Sequence, residues 1–304
     1  MSNDTLKALI KAAGIISALY LFLVGIAGMS SAIKSMGSQF AETVLTTTSN
    51  PFIALFIGIF ATVLFQSSST TTSLIVGMVS SGTLTITNSI PMIMGANIGT
   101  TVTNTIVSIG HIKKGTEFKR AFAASTVHDF FNIMAVIIVF PIEMIFHPLQ
   151  KTSEWFALQL FGKIENIDVL QAKSPIKIAV KAGSKFVQKF SFDNDIVYLM
   201  LSVGITFLML YSIVKLLKSL VLKKIEGFFD QYVFNTALKA LGFGIIITIM
   251  VQSSSITTSL VVPLAGAGVL TLRQIFPFTL GANIGTTITA LLAAITGTVS
   301  ALVA

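Results

Sequence analysis

Gln66-Ser67-Ser68-Ser69-Thr70-Thr71-Thr72-Ser73-Leu74, then a turn at Gly82, Pro91 and Gly95-Ala96-Asn97-Ile98-Gly99-Thr100-Thr101, is written twice in this 304-residue chain. The second copy reads Gln252-Ser253-Ser254-Ser255-Ile256-Thr257-Thr258-Ser259-Leu260, followed by Gly268, Pro277 and Gly281-Ala282-Asn283-Ile284-Gly285-Thr286-Thr287, at a constant offset of 186 residues. Between 66–104 and 252–290, 21 of 39 positions are identical without a gap, which marks an internal duplication. Each copy gathers hydroxyls, amides and glycines in a strongly apolar setting. Polar, breakable segments at corresponding places in two halves point to a binding site in a transporter-like membrane protein.

Composition supports the membrane setting. The chain is 53% hydrophobic and 11% charged, against about a quarter charged in soluble domains. No Asp, Glu, Lys or Arg occurs from Thr43 to Ile112, and roughly 20 apolar residues suffice to cross a bilayer. Cysteine is absent, which excludes disulfides, thiol catalysis and thiolate metal sites. The net charge of +8 raises nucleic acid as a partner. The lysines and arginines mostly flank apolar segments, however, so the lipid bilayer is the expected partner and nucleic acid is not.

The sequence predicts an all-α polytopic membrane protein of two inverted-topology repeats, each with a transmembrane helix, a re-entrant helical hairpin and a broken helix. Repeat 1 covers 1–118, a connecting helix and long polar loop 119–193, and repeat 2 covers 194–304. Residues 1–11 form a polar start, and Ala12 to Ile33 is a first crossing, too long for the apolar core of a signal peptide. Residues 34–50 are expected at the interface. Two arms of about fifteen residues flank Gln66, each too short to cross comfortably. A broken helix is expected from Thr85 to about Gly110, and in repeat 2 from Gln274 towards Ala304. Within 147–193, Lys173, Lys177, Lys181, Lys185 and Lys189 recur at every fourth residue among Ile176, Val180, Val187 and Phe190. That pattern predicts an amphipathic helix on a membrane or protein surface. Three crossings between the first helix and its copy (198–219) make the repeats face opposite ways. Basic loops at 111–120 and 215–224 fall on one side with Lys7 and Lys11, which predicts a cytoplasmic N-terminus in a multi-pass protein of the cell inner (plasma) membrane.

After each Gln-Ser-Ser-Ser break a half-helix starts, and its first amides lack intrahelical partners. Such an end favours anions, and Ser67, Ser68, Ser69, Ser253, Ser254 and Ser255 add hydroxyl donors. Neither motif contains Lys or Arg, so a multiply charged anion needs a cation to arrive with it. Oxygens of Gln66, Thr70, Thr71, Asn97, Thr100, Gln252, Thr257, Asn283 and Thr286 suit a hard cation. The residue types therefore imply an anion bound with a small cation, sodium being the expected coupling ion and the only metal, with no cofactor. The same hydroxyls can simply bond to their own helix carbonyls, and Gly95 and Gly99 can simply pack helices closely. His128 and Asp129, with Asn132, are ionisable and polar groups within a membrane helix, either lining the site or supporting it structurally. Glu143 is expected at the interface, and Arg273 as a snorkelling anchor.

The paired Gln-Ser-Ser-Ser and Gly-Ala-Asn-Ile-Gly-Thr-Thr motifs, with His128-Asp129-Phe130-Phe131-Asn132, resemble the type II sodium-dependent phosphate cotransporters in a bacterial form. The likeness covers both repeats and the helix between them. It implies inorganic phosphate and sodium as partners, alternating access around the two hairpins, and both serine runs lining the phosphate and sodium sites. Bacterial members often carry a soluble C-terminal domain that these residues do not include, and the outer-loop disulfide of animal members cannot form here. The competing readings are a carrier of another oxyanion such as sulfate or arsenate, a channel, and an intramembrane serine hydrolase using Ser67 or Ser254 with His128 as base.

Overall fold

In the computed structural model the described residues are 3–161, 175–225, 233–294 and 303. Among them every regular element is a helix. In chain order these are α1 (Asn3–Ser35), α2 (Ser38–Thr48), α3 (Pro51–Phe65), α4 (Ser68–Ser81), α5 (Ile86–Gly99), α6 (Thr101–Ile109) and α7 (Gly115–Phe146). Then come α8 (Pro148–Phe161), α9 (Pro175–Lys189), α10 (Asp195–Ile225), α11 (Ala237–Val251), α12 (Ser254–Gly266) and α13 (Leu272–Ala294), with a 3-10 turn at Val233–Asn235.

Among the described residues, four helical segments are long and apolar enough to cross a membrane: Ile10–Ser35, Gly115–Phe146, Asp195–Ile213 and Leu272–Ala294. Their outer faces carry large exposed apolar side chains such as Ile16, Phe130, Ile137, Met200 and Leu208. Surface of that kind is expected against lipid and not against water.

The short helices come in pairs meeting at a two-residue break. Asn50 caps α3, its Oδ1 accepting from the amides of Phe52 (2.9 Å) and Ile53 (3.3 Å), and Pro51 fills the first helical position. Fifteen residues reach about 22 Å, short of a hydrocarbon core of about 30 Å. Gln66 then turns left-handed (φ 52, ψ 28), Ser67 is extended (φ −155, ψ 105), and α4 begins. The second pair repeats this geometry: Thr236 caps α11, Gln252 has φ 56 and ψ 27, and Ser253 has φ −155 and ψ 111 ahead of α12. Gly82 and Gly268, both at φ 79, end the second arms in a conformation that glycine adopts freely.

Glycines set the packing of each pair. A Cβ on Gly58 would strike the Met92 carbonyl, one on Gly95 the Leu55 carbonyl, and one on Gly99 would lie 2.7 Å from the Ile59 carbonyl. In the second copy, Gly244 meets the Phe278 carbonyl, Gly281 the Leu241 carbonyl and Gly285 the Ile245 carbonyl, each 186 residues on. Thus α5 lies backbone to backbone on α3, and α13 on α11.

The halves also lean on each other, α4 packing on α13 and α12 on α6 and α7. The largest apolar cluster joins Phe22, Ile26 and Met29 of α1 to Leu210 and Ile213 of α10, to Val76, and to Ala293 and Ala294. A second cluster holds Phe234, Val261, Ala265, Ile275 and Phe278.

The structure departs from the sequence reading in three places. The broken helix of the first half is interrupted at Thr100, whereas its counterpart runs unbroken from Leu272 to Ala294. Hydroxyl back-bonds are present in both, from Thr100 to the Ala96 carbonyl and from Thr286 to the Ala282 carbonyl, so these bonds alone do not break a helix. Lys215, Lys218, Lys223 and Lys224 lie within α10 and not in a loop. Glu143 is fully buried, its carboxylate accepting from the amides of Leu149 (2.7 Å) and Gln150 (3.1 Å), and so caps α8 from a distance. In keeping with the amphipathic pattern of its sequence, α9 lies along α1 and α10. The Tyr20 hydroxyl donates to the Ala179 carbonyl (3.0 Å), and Ser184 pairs with the Tyr198 hydroxyl (2.6 Å). Val180 and Ser184 are buried, Lys181, Lys185 and Lys189 exposed, and Phe190 faces outward with them. Lys173 lies outside the described residues.

Candidate functional site

The two breaks expose the same chemistry. Ser67 Oγ accepts from the Thr70 amide (3.2 Å) and the Thr70 hydroxyl (2.9 Å), and Ser253 Oγ accepts from the Ile256 amide (3.4 Å). These two serines are therefore N-caps. Ser68, Ser69, Ser254 and Ser255 are buried, yet among the described residues their hydroxyls bond to no protein group and are not sealed off. Buried hydroxyls normally find partners, so these four, beside two helix N-termini, are candidate donors for a ligand.

Both ends of each glutamine amide are engaged. Gln66 Nε2 donates to the Val63 carbonyl (2.6 Å) and its Oε1 accepts from the Thr103 hydroxyl (3.0 Å). Gln252 does the same with the Ile249 carbonyl (2.6 Å) and the Thr289 hydroxyl (2.8 Å). A glutamine in left-handed backbone is unusual, and these stitches give its physical reason: the side chain satisfies a helix-end carbonyl and ties the break to the following helix. The two differ in access, Gln66 being exposed and Gln252 buried.

The threonines send their protons backwards. Thr71 donates to the Ser67 carbonyl (3.2 Å), Thr257 to the Ser253 carbonyl (2.9 Å), Thr100 to the Ala96 carbonyl (3.1 Å) and Thr286 to the Ala282 carbonyl (3.0 Å). A hydroxyl whose proton points into its own helix offers only lone pairs outward. Back-bonding and cation ligation are compatible here.

Behind the breaks runs a polar chain centred on His128, which is buried. Asn104 Nδ2 lies 3.3 Å from His128 Nδ1, and His128 Nε2 lies 2.6 Å from Asn283 Oδ1. Asn283 Nδ2 donates to Asn132 Oδ1 (2.8 Å), and Asn132 Nδ2 donates to the Asn97 carbonyl (3.1 Å). Asn132 Nδ2 lies 3.2 Å from the same Nε2, so the two ring nitrogens of His128 meet the side-chain amides of three asparagines. Asn97, Asn132, Asn283 and Thr287 open onto a cavity of about 330 Å³ otherwise lined by apolar groups such as Phe131, Val136 and Leu149. Gly95 and Gly99 face α3 while Asn97 faces this cavity, so the glycines pack helices and the asparagine serves the cavity. Asp129 stands apart from this chain. Its Oδ2 accepts from the Thr105 hydroxyl (3.3 Å), while its Oδ1 is buried without a partner.

The structure thus gathers His128, Asn132, Asn283 and the Asn97 carbonyl in one network, while no hydrogen bond among the described residues joins one serine run directly to the other. Sequence reading missed Thr103 and Thr289, although both sit in the duplicated window. It also missed Asn104, for which the duplication gives no signal.

Crossing helices, paired breaks with unengaged hydroxyls and a polar centre define a polytopic membrane protein that carries the same polar break twice. The chain belongs to the Na+/Pi-cotransporter family, which it matches over residues 21–162 and 207–304. Curated relatives include sodium-dependent phosphate transport protein 2B of Pongo abelii, 33% identical over 91% of this chain and 53% of the relative. Protein 2A of Ovis aries is 31% identical over 94% of this chain and 56% of the relative. Protein 2A of Rattus norvegicus is 34% identical over 91% of this chain and 55% of the relative. The chain spans about half the length of these relatives. No solved structure matches it. The Lys-rich helix α9 falls between the two family-matched segments.

Proposed function

We propose that this chain carries inorganic phosphate across the membrane together with sodium, by alternating access around the two breaks. One observation carries the reading: four serine hydroxyls without protein partners stand at two half-helix N-termini in the same register, in a member of the Na+/Pi-cotransporter family. Ser68, Ser69, Ser254 and Ser255 with the free amides of their first turns supply donors for phosphate oxygens. Ser67 and Ser253 hold those turns in place. Neither Gln-Ser-Ser-Ser motif contains Lys or Arg, so cotransported cations neutralise the anion.

Sodium ligands come from oxygens whose protons are already committed, those of Thr71, Thr100, Thr257 and Thr286, with the carbonyl oxygens of Gln66 and Gln252 and the polar groups of Asn97 and Asn283. Asp129 Oδ1 is a further candidate, because a buried carboxylate oxygen without a donor is suited to a hard cation. His128 and Asn132 tie these elements together. Both ring nitrogens of His128 are engaged by asparagine amides, and among the described residues no serine hydroxyl bonds to it, which speaks against its acting as a base for a serine nucleophile. A carrier and not an enzyme is the reading it supports. The inverted arrangement of the halves and a cytoplasmic N-terminus in the plasma membrane complete the proposal.

Phosphate binding to the purified protein in lipid nanodiscs tests the site. Binding is expected to require sodium, to be competed by arsenate, whose shape and charge are nearly the same, and to be unaffected by sulfate. Tight sulfate binding with no phosphate competition would move the substrate to another oxyanion.

A further inference from the structure

We propose that Asn104 is a positioning residue that latches the second serine run to α6 and α7, and that the first serine run has no such latch among the described residues. Asn104 is buried, and its Oδ1 lies 2.9 Å from the Thr258 hydroxyl and 3.2 Å from the Ser259 hydroxyl. Its Nδ2 reaches His128 Nδ1. Thr258 and Ser259 follow one turn after Ser254 and Ser255, whose carbonyls the same hydroxyls approach. The latch therefore grips the turn that presents the second pair of free serines.

The 186-residue offset places Ala290 where Asn104 would have its counterpart. The counterparts of Thr258 and Ser259 are Thr72 and Ser73. Ser73 donates only to the Ser69 carbonyl (2.8 Å), and the Thr72 hydroxyl bonds to no group among the described residues. Where α12 meets a hydrogen-bonded amide, α4 meets an apolar cluster in which Val76 sits with Ala293 and Ala294. An apolar contact slides with little directional penalty, whereas buried hydrogen bonds must be broken or replaced as a unit. The access of the two glutamines follows the same asymmetry, Gln66 being exposed and Gln252 buried. The first break moves; the second is held until the Asn104 contacts are exchanged.

The inference rests on the two breaks being a carrier's binding site, but its test needs no substrate. The chain has no cysteine, so Met78→Cys and its counterpart Leu264→Cys, both half-buried positions, serve as single reporters in the full chain reconstituted in liposomes. Asn104→Ala is expected to raise the maleimide labelling rate at Leu264→Cys about tenfold and to leave Met78→Cys within about twofold. Removing the partner hydroxyls instead, with Thr258→Val and Ser259→Ala, is expected to give the same change, and combining it with Asn104→Ala to add nothing. Unchanged labelling at Leu264→Cys, or an equal rise at both reporters, would overturn the latch. No phosphate uptake by the parent protein, with the labelling pattern as expected, would count against the transport reading alone.

Discussion

At the scale of the residue, the breaks are built from a costly choice. Gln66 and Gln252 sit in left-handed backbone, where an L residue loses roughly 1–2 kcal/mol relative to glycine. Their amides recover this through the stitches to Val63 and Thr103, and to Ile249 and Thr289. Gln252→Gly is therefore expected to melt higher than Gln252→Ala, by about 1 kcal/mol in denaturant titrations, with both losing transport because the Thr289 tie is gone. The free hydroxyls give a complementary expectation. Ser68→Ala and Ser254→Ala each lower sodium-driven phosphate uptake at least about tenfold, the worth of a hydrogen bond to a charged group, while thermal melting is unchanged. Two fully active variants would refute the site. The serines, Asn97, Asn283 and the His128 cluster were legible in the sequence because duplication or an ionisable residue in an apolar helix flags them. Asn104 was not, since its importance lies in contacts to Thr258, Ser259 and His128 on other helices.

At the scale of the element, sequence signals placed the breaks well. Asn50-Pro51, Gln66 and Gly82 bound α3 and α4 through a cap, an interruption and a left-handed end, and each is a local effect. Gly58 and Gly244 were not legible as packing residues, because their closeness to the carbonyls of Met92 and Phe278 arises only when α5 and α13 are in place. Replacing either by valine is expected to cost more than the roughly 1–3 kcal/mol of ordinary overpacking, since the obstacle is backbone, and to leave little protein eluting as a folded peak in size-exclusion chromatography. Gly115→Ala, with nothing near its Cβ, should elute as the parent does. Glu143 likewise escaped sequence reading, its helix-capping partners lying across Pro148. Glu143→Gln is expected to lower unfolding stability by about 1 kcal/mol, read by denaturant titration, without altering the sodium dependence of uptake.

At the scale of the whole molecule, membrane class and family were plain from hydropathy and the twofold motif. The route by which the halves communicate was not. It passes through α7: His128 and Asn132 reach Asn104 and Asn97 on one side and Asn283 on the other. No periodicity reveals such a bridge, because it depends on four helices, α5, α6, α7 and α13, coming together. The central claim is coupled movement of two ions through this arrangement. It is tested most directly by radiolabelled phosphate uptake into proteoliposomes, comparing an inward sodium gradient with an equal potassium gradient. The account predicts saturable accumulation with sodium and none above protein-free liposomes with potassium. Equal uptake under both gradients would contradict it.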